Sequence, residues 1–240
     1  MAVDILETSC TNDYSVIYYK LSERQAILPF YQTKGEFNME NKKAKGTLGM
    51  VELALMSAII IVMALTPLGY IKTPVLSITL LTIPVAVGAM ILGPKGGAFL
   101  GMVFGATSFA QAISGAGGMT SILFQTSPIG VTFLCIVPRV LEGFLCGVIF
   151  WLVRKTKYKK AAFYIAGVSC PVLNTILFMG TVITLFYQTD YIQTLVSSLG
   201  AKNPLMFVIA LVGIQGVIEA LACGILSGTV SLTLSKALKR

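Results

Sequence analysis

Between residues 50 and 236 the chain holds six long apolar stretches, and nearly all of its charges there lie in the connections between them. Crossing the hydrocarbon of a bilayer takes about 20 apolar residues per helix. Six such helices fill roughly half of a chain this long, and short loops take up much of the rest. The composition agrees: of 240 residues, 55% are hydrophobic and 12% charged, where a soluble domain is about 25% charged. The expected fold is therefore all-α: a polytopic membrane protein, built as a six-transmembrane-helix bundle in the lipid bilayer. That narrows the function to transport, membrane catalysis or membrane assembly.

The apolar runs place helices at 48–66, 76–93, 97–113, 128–152, 162–187 and 205–236. The last is long enough to tilt or to project past the bilayer. Pro84 and Pro138 fall inside the second and fourth helices, where kinks are expected. Gly93-Pro94-Lys95-Gly96-Gly97 reads as a tight turn between the second and third. Residues 1–46 are polar and mixed in charge, without the charged and apolar regions of a signal peptide. They read as a disordered cytoplasmic extension, and residues 47–240 as the membrane domain. Met39 opens a short basic leader, Met-Glu-Asn-Lys-Lys-Ala-Lys, directly before the first helix. Translation is expected to start there, which makes residues 1–38 dispensable; a disordered tail is the alternative.

The net charge of +8 suggests nucleic acid only if its location is ignored. Before residue 46, Lys20, Arg24, Lys34, Lys42, Lys43 and Lys45 are balanced by Asp4, Glu7, Asp13, Glu23, Glu36 and Glu40. The excess lies in the membrane portion, in its loops, and no nucleic-acid partner is expected. With the N-terminus inside, one face collects Lys42, Lys43, Lys45, Lys95, Arg154, Lys155, Lys157, Lys159, Lys160, Lys236, Lys239 and Arg240, and the other only Lys72 and Lys202. Basic residues accumulate on the cytoplasmic side, so both termini are expected to be cytoplasmic in a multi-pass protein of a bacterial cell membrane. Trp151 and Tyr158 then sit at the inner surface, as an aromatic belt requires. The outer connections become 67–75, 114–127 and 188–204, which are rich in Gly, Ser, Thr, Gln and Tyr.

Much chemistry is excluded. The chain has no histidine, which removes the commonest general base and most zinc sites. Its five cysteines include no C-x-x-C pair, and four lie in the expected helices as small buried apolar residues. No P-loop motif is present, so any ATP-driven step needs another polypeptide. No catalytic residues, metal or cofactor are expected.

Two small-residue patterns allow close helix approach. Ala54-x-x-x-Ala58 lies on one face of the first helix, with Ala64 roughly continuing it, and Gly97-x-x-x-Gly101-x-x-x-Gly105 does the same on the third. The glycines read first as internal packing; for the alanines an external partner competes. Arg139, Glu142 and Glu219 are ionisable residues at mid-membrane, each costly unless paired or facing a polar cavity. Arg139 either pairs with an acid, Glu142 three residues along the same helix or Glu219 at similar depth, or holds an anionic substrate. Asn174, Gln215 and Glu219 are candidates for a small polar pocket between the fourth, fifth and sixth helices. Gln215 and Glu219, four apart, share a face. Gln125 and Tyr70 are candidates to seal it from the outer loops.

Together these pieces resemble the substrate-binding S components of energy-coupling factor (ECF) vitamin transporters, over about residues 47–238. The resemblance rests on the six short-looped helices, Ala54-x-x-x-Ala58, Thr66-Pro-Leu-Gly-Tyr70, Ile91-Leu-Gly-Pro-Lys95 and Pro138-Arg139-Val140-Leu141, in that order. It implies a subunit that captures a vitamin outside the cell, near the outer face. It also implies docking through Ala54 and Ala58 on a membrane coupling protein driven by two ATPase subunits, and toppling to release the vitamin inside. The pantothenate-type branch is the most similar, and a buried Arg139 suits a carboxylate; cobalamin-type members share these motifs. An intramembrane enzyme is disfavoured by the missing histidine and metal cluster. A self-sufficient secondary transporter is disfavoured by the absence of a repeat and by too few acids.

Overall fold

The computed structural model describes residues 47–66, 69–72, 77–156, 159–201 and 203–238. The chain falls into two units, 1–50 and 51–240, and the account below concerns the second. The proposed extension before residue 47, the start at Met39, and Lys157, Tyr158, Lys202, Lys239 and Arg240 lie outside the described residues.

The described part is helical apart from one small hairpin. Helix α1 runs Thr47–Leu65. Strands β1 (Tyr70–Lys72) and β2 (Ser77–Thr79) pair antiparallel, Ile71 opposite Ile78. There follow α2 (Thr82–Leu92), α3 (Pro94–Ile113), α4 (Met119–Thr126), α5 (Pro128–Arg154), α6 (Ala161–Phe186), α7 (Asp190–Ser198) and α8 (Pro204–Ala237). Among the described residues, five helices are long and apolar enough to cross a membrane: α1, α3, α5, α6 and the Gln215–Ala237 portion of α8.

The second expected helix differs most. The apolar run predicts it over 76–93, but Ser77–Thr79 is strand and the helix begins at Thr82. At about 1.5 Å per residue its 11 residues reach only about 16 Å, half the hydrocarbon thickness. Pro84 consequently lies in the first turn of α2, where a missing N–H breaks no helical bond. Eight of the helix's residues are buried. An element that is apolar all round belongs in the middle of a bundle, and α2 touches α3, α5, α6 and α8.

The helix starts follow local chemistry. Pro94, Pro128 and Pro204 each occupy a first helical position, where proline's fixed φ suits the helix. Ser127 caps α5, its hydroxyl accepting from the Gly130 amide at 3.3 Å. Gly93, between α2 and α3, has φ +83°, which favours glycine. It makes the expected tight turn.

The glycine face of α3 packs inside the molecule. A Cβ on Gly97 would strike the carbonyl of Gly143, one on Gly101 that of Arg139, and one on Gly105 would come within 2.8 Å of that of Cys135. The three glycines thus lie flat on the backbone of α5 over two turns. Gly143 makes the reciprocal approach to Gly97.

Two apolar cores result. One gathers Ile60 and Ala64 of α1, Leu81, Val85 and Met90 around α2, Leu100 and Phe104 of α3, Cys146 and Phe150 of α5 and Ala162–Cys170 residues of α6. The other gathers Leu123 of α4, Val131–Cys135 residues of α5, Met179–Phe186 residues of α6, Ile192 of α7 and Phe207–Val212 residues of α8. Ala64 is buried in the first core while Ala54 and Ala58 are exposed, so Ala64 does not continue their face.

Candidate functional site

Four helices pass from one core to the other, α3, α5, α6 and α8, and the last three carry ionisable or amide side chains at the crossing. On α5, Arg139 and Glu142 lie between Cys135 of one core and Cys146 of the other. On α6, Asn174 lies between Cys170 and Met179. On α8, Glu219 follows Val212 and precedes Leu232. All four are buried: Glu142 fully, Glu219 to 7% exposure, Arg139 to 8% and Asn174 to 9%.

The backbone explains how Arg139 is held. Pro138 has no N–H, so the carbonyl of Leu134, four residues back, loses its helical partner. Arg139 Nη1 donates to that carbonyl at 3.2 Å. The guanidinium also lies over two rings, Phe178 of α6 at 4.4 Å and Phe104 of α3 at 5.3 Å. Aromatic faces attract a desolvated cation. Gly101 presses on the Arg139 backbone from α3, fixing the height at which the side chain leaves α5. A second internal proline, Pro171, lies three residues before Asn174 on α6.

The acids are held differently. Glu142 Oε1 accepts from the Cys170 thiol of α6 at 3.2 Å. Glu219 faces the backbone of Thr79 at the end of β2. Thr82, at the start of α2, meets Cys223 of α8 at 3.2 Å. Arg139 acts electrostatically on both carboxyls, and Glu219 on Glu142. Even so, no salt bridge joins Arg139 to either acid among the described residues. The alternative of a simple ion pair is not what the geometry shows.

Four polar atoms in this belt are buried without a hydrogen-bond partner: Arg139 Nε, Glu142 Oε2, Asn174 Oδ1 and Glu219 Oε1. Each such group is destabilising, more so when charged. One is a donor and three are acceptors, and together they come from α5, α6 and α8.

The remaining expected residues lie elsewhere. Gln215, on α8, is half-buried and lines a groove with Ile209, Val217 and Ile218. Gln125 is exposed on α4. The side chain of Tyr70 lies outside the described residues, though its backbone is part of β1. Ala54 and Ala58 are exposed on α1, which buries far less of itself than α5 does. Phe104, Phe178 and Cys170 were not singled out from the sequence. Nothing in one helix's periodicity says which residue of a neighbouring helix it will face.

Residues 49–231 match the family described as "ECF transporter, substrate-specific component". The chain is also similar to a pantothenate transporter of Leuconostoc mesenteroides, 28% identical over 189 residues, covering 75% of this chain and 87% of that one. A pantothenic acid transporter of Lactococcus lactis is 33% identical over 121 residues, covering 46% of this chain and 59% of that one.

Proposed function

The chain belongs to the substrate-specific components of ECF transporters, and we propose that within that family it is the subunit that binds pantothenate. The observation that carries the reading is Arg139: a buried guanidinium with no salt bridge to an acid among the described residues and an orphaned Nε. A carboxylate ligand completes it. Carboxylate–guanidinium contacts are charge-assisted and directional, and pantothenate offers one carboxylate. The similarity to two pantothenate transporters supports the choice of ligand.

In this reading the protein performs no chemistry. It captures the vitamin from outside, with α4, α7 and the hairpin at the outer end and both termini in the cytoplasm. It delivers the vitamin inward by docking on a membrane coupling protein driven by two ATPases. Helix α2 and the hairpin together serve as the sixth passage through the bilayer. The exposed Ala54 and Ala58 face of α1 is the docking surface.

The test is calorimetric titration of the purified protein, in lipid nanodiscs, with pantothenate and with its alcohol analogue, in which CH2OH replaces the carboxylate. Tight binding of pantothenate and at least about 30-fold weaker binding of the alcohol are expected from loss of a buried charged contact. Equal binding of the two removes Arg139 from the ligand. No binding of either removes pantothenate as the substrate.

A further inference from the structure

The end of α5 carries cations that its helix does not need. Arg154, Lys155, Lys159 and Lys160 are all exposed, and no Asp or Glu stands anywhere between Glu142 and Asp190. The last carbonyls of α5 are already served: the Thr156 hydroxyl donates to that of Val153 at 2.7 Å, and the Lys155 amide to that of Leu152 at 3.2 Å. The charged side chains turn back along the helix instead. Lys155 Nζ lies 3.3 Å from the centroid of the Trp151 ring, and the Arg154 guanidinium 5.6 Å from that of Phe150. Each ring is one turn nearer the middle of the bundle, so each cation is set back from the end of its helix, held by an aromatic face. Phe150 meets Phe163 of α6 edge to face at 4.9 Å. The guanidinium thus sits at the seam between α5 and α6, beside the turn that carries Lys159 and Lys160. Within four turns of the cations, Trp151 and Leu152 of α5 and Ile165 and Val168 of α6 are exposed apolar side chains.

We propose that this end of the α5–α6 pair is a seat for the headgroup of an anionic phospholipid. Arg154 and Lys155 meet its phosphate, Lys159 and Lys160 complete the charge, and the exposed apolar side chains lie against its acyl chains. A lipid fits these cations better than an acidic protein does. Cations that served a soluble partner would project past the helix end, whereas these are drawn back to the depth of a tryptophan, and tryptophan marks the headgroup level of a bilayer. Each Lys or Arg near the membrane surface favours anionic lipid by about five-fold in affinity, and a guanidinium adds a directional contact to phosphate. The seat depends neither on pantothenate as the substrate nor on which side of the membrane it faces.

Trp151 is the chain's single tryptophan, so its fluorescence reports on this place alone. The full chain is reconstituted in phosphatidylcholine vesicles that contain a minor fraction of either phosphatidylglycerol or phosphatidylcholine with brominated acyl chains, which quench a tryptophan they touch. Quenching is taken relative to unbrominated vesicles, which cancels any change in the fluorescence of the variants themselves. Wild type is expected to prefer phosphatidylglycerol over phosphatidylcholine by about 5- to 25-fold. An Arg154→Gln, Lys155→Gln double variant should bring that preference down to about two-fold or less. A Lys95→Gln, Lys236→Gln double variant removes the same charge from the same end of the bundle, since Gly147 of α5 lies on Pro94 and Gly228 of α8 on Tyr164 of α6. It should keep the wild-type preference. Equal quenching by the two lipids in wild type overturns the seat and leaves the cations to an acidic protein surface; this arm needs no variant to fold. A preference that survives undiminished in the Arg154→Gln, Lys155→Gln protein overturns it too. So does an equal loss in the Lys95→Gln, Lys236→Gln protein, which would make the attraction a property of the whole charged end.

Discussion

Arg139 owes its position to the residue before it. Pro138 strips the Leu134 carbonyl of its helical donor, and the guanidinium fills that gap with Nη1 while Nε stays free of partners. Arg139→Lys keeps the charge but loses the planar fork. It should weaken carboxylate binding by about 2–5 kcal/mol, roughly 30-fold or more. Arg139→Gln should do so at least as strongly, and calorimetry on both variants checks it. Melting temperature separates a second effect: removing the guanidinium leaves the buried Leu134 carbonyl without its donor, so Arg139→Gln should also destabilise the fold. Arg139, Asn174 and Glu219 were legible in the sequence because polar groups stand out within apolar runs. Glu142 was legible too, but as a partner three residues along the same helix. Its actual hydrogen-bond donor, Cys170, comes from α6, and helical periodicity carries no information about which neighbour lies opposite.

At the level of elements, the contact between α3 and α5 sets the height of the whole polar belt. Gly101 lies on the Arg139 backbone and Gly97 on that of Gly143. Gly101→Leu forces the helices apart, and overpacking of this kind typically costs about 1–3 kcal/mol, with more where backbone is in the way. A lower melting temperature and weaker pantothenate binding are expected together. Gly180, on α6, has nothing within 4 Å of where a Cβ would stand. Gly180→Ala should therefore raise stability by about 0.5–1 kcal/mol through helix propensity and leave binding unchanged. The glycine repeat was readable from spacing alone, because three small residues four apart define a face. The elements in the connections were harder to see. Helix α4 has eight residues and α7 nine, too few for a strong apolar pattern, although Ile192 and Val196, four apart and both buried, mark the inner face of α7. The hairpin was hidden for a different reason: Ser77-Ile-Thr79 reads as the continuation of an apolar helix, and only its pairing with Tyr70–Lys72 makes it a strand.

At the scale of the molecule, the proposed reading assigns binding and docking to different surfaces, so the two should be separable. The orientation proposed for the bundle puts Lys159, exposed between α5 and α6, in the cytoplasm. A Lys159→Cys variant should therefore resist an impermeant thiol reagent in intact cells and react after lysis; labelling in intact cells would invert the topology. The polar belt lies between the two cores, among α5, α6 and α8, whereas Ala54 and Ala58 face outward from α1, a helix that buries little of itself against the rest. Small side chains at that spacing let another helix come close, since lipid supplies no hydrophobic drive and close backbone contact must do so. An Ala54→Trp, Ala58→Trp double variant fills that face without touching Arg139, Glu142, Asn174 or Glu219. Its pantothenate affinity in nanodiscs should match wild type within a few-fold, while its copurification with the coupling protein and ATPases, and uptake of labelled pantothenate by cells, should both collapse. Loss of affinity in the isolated variant would place α1 in the binding site instead. Full uptake with both tryptophans in place would show that the coupling protein meets another face of the bundle.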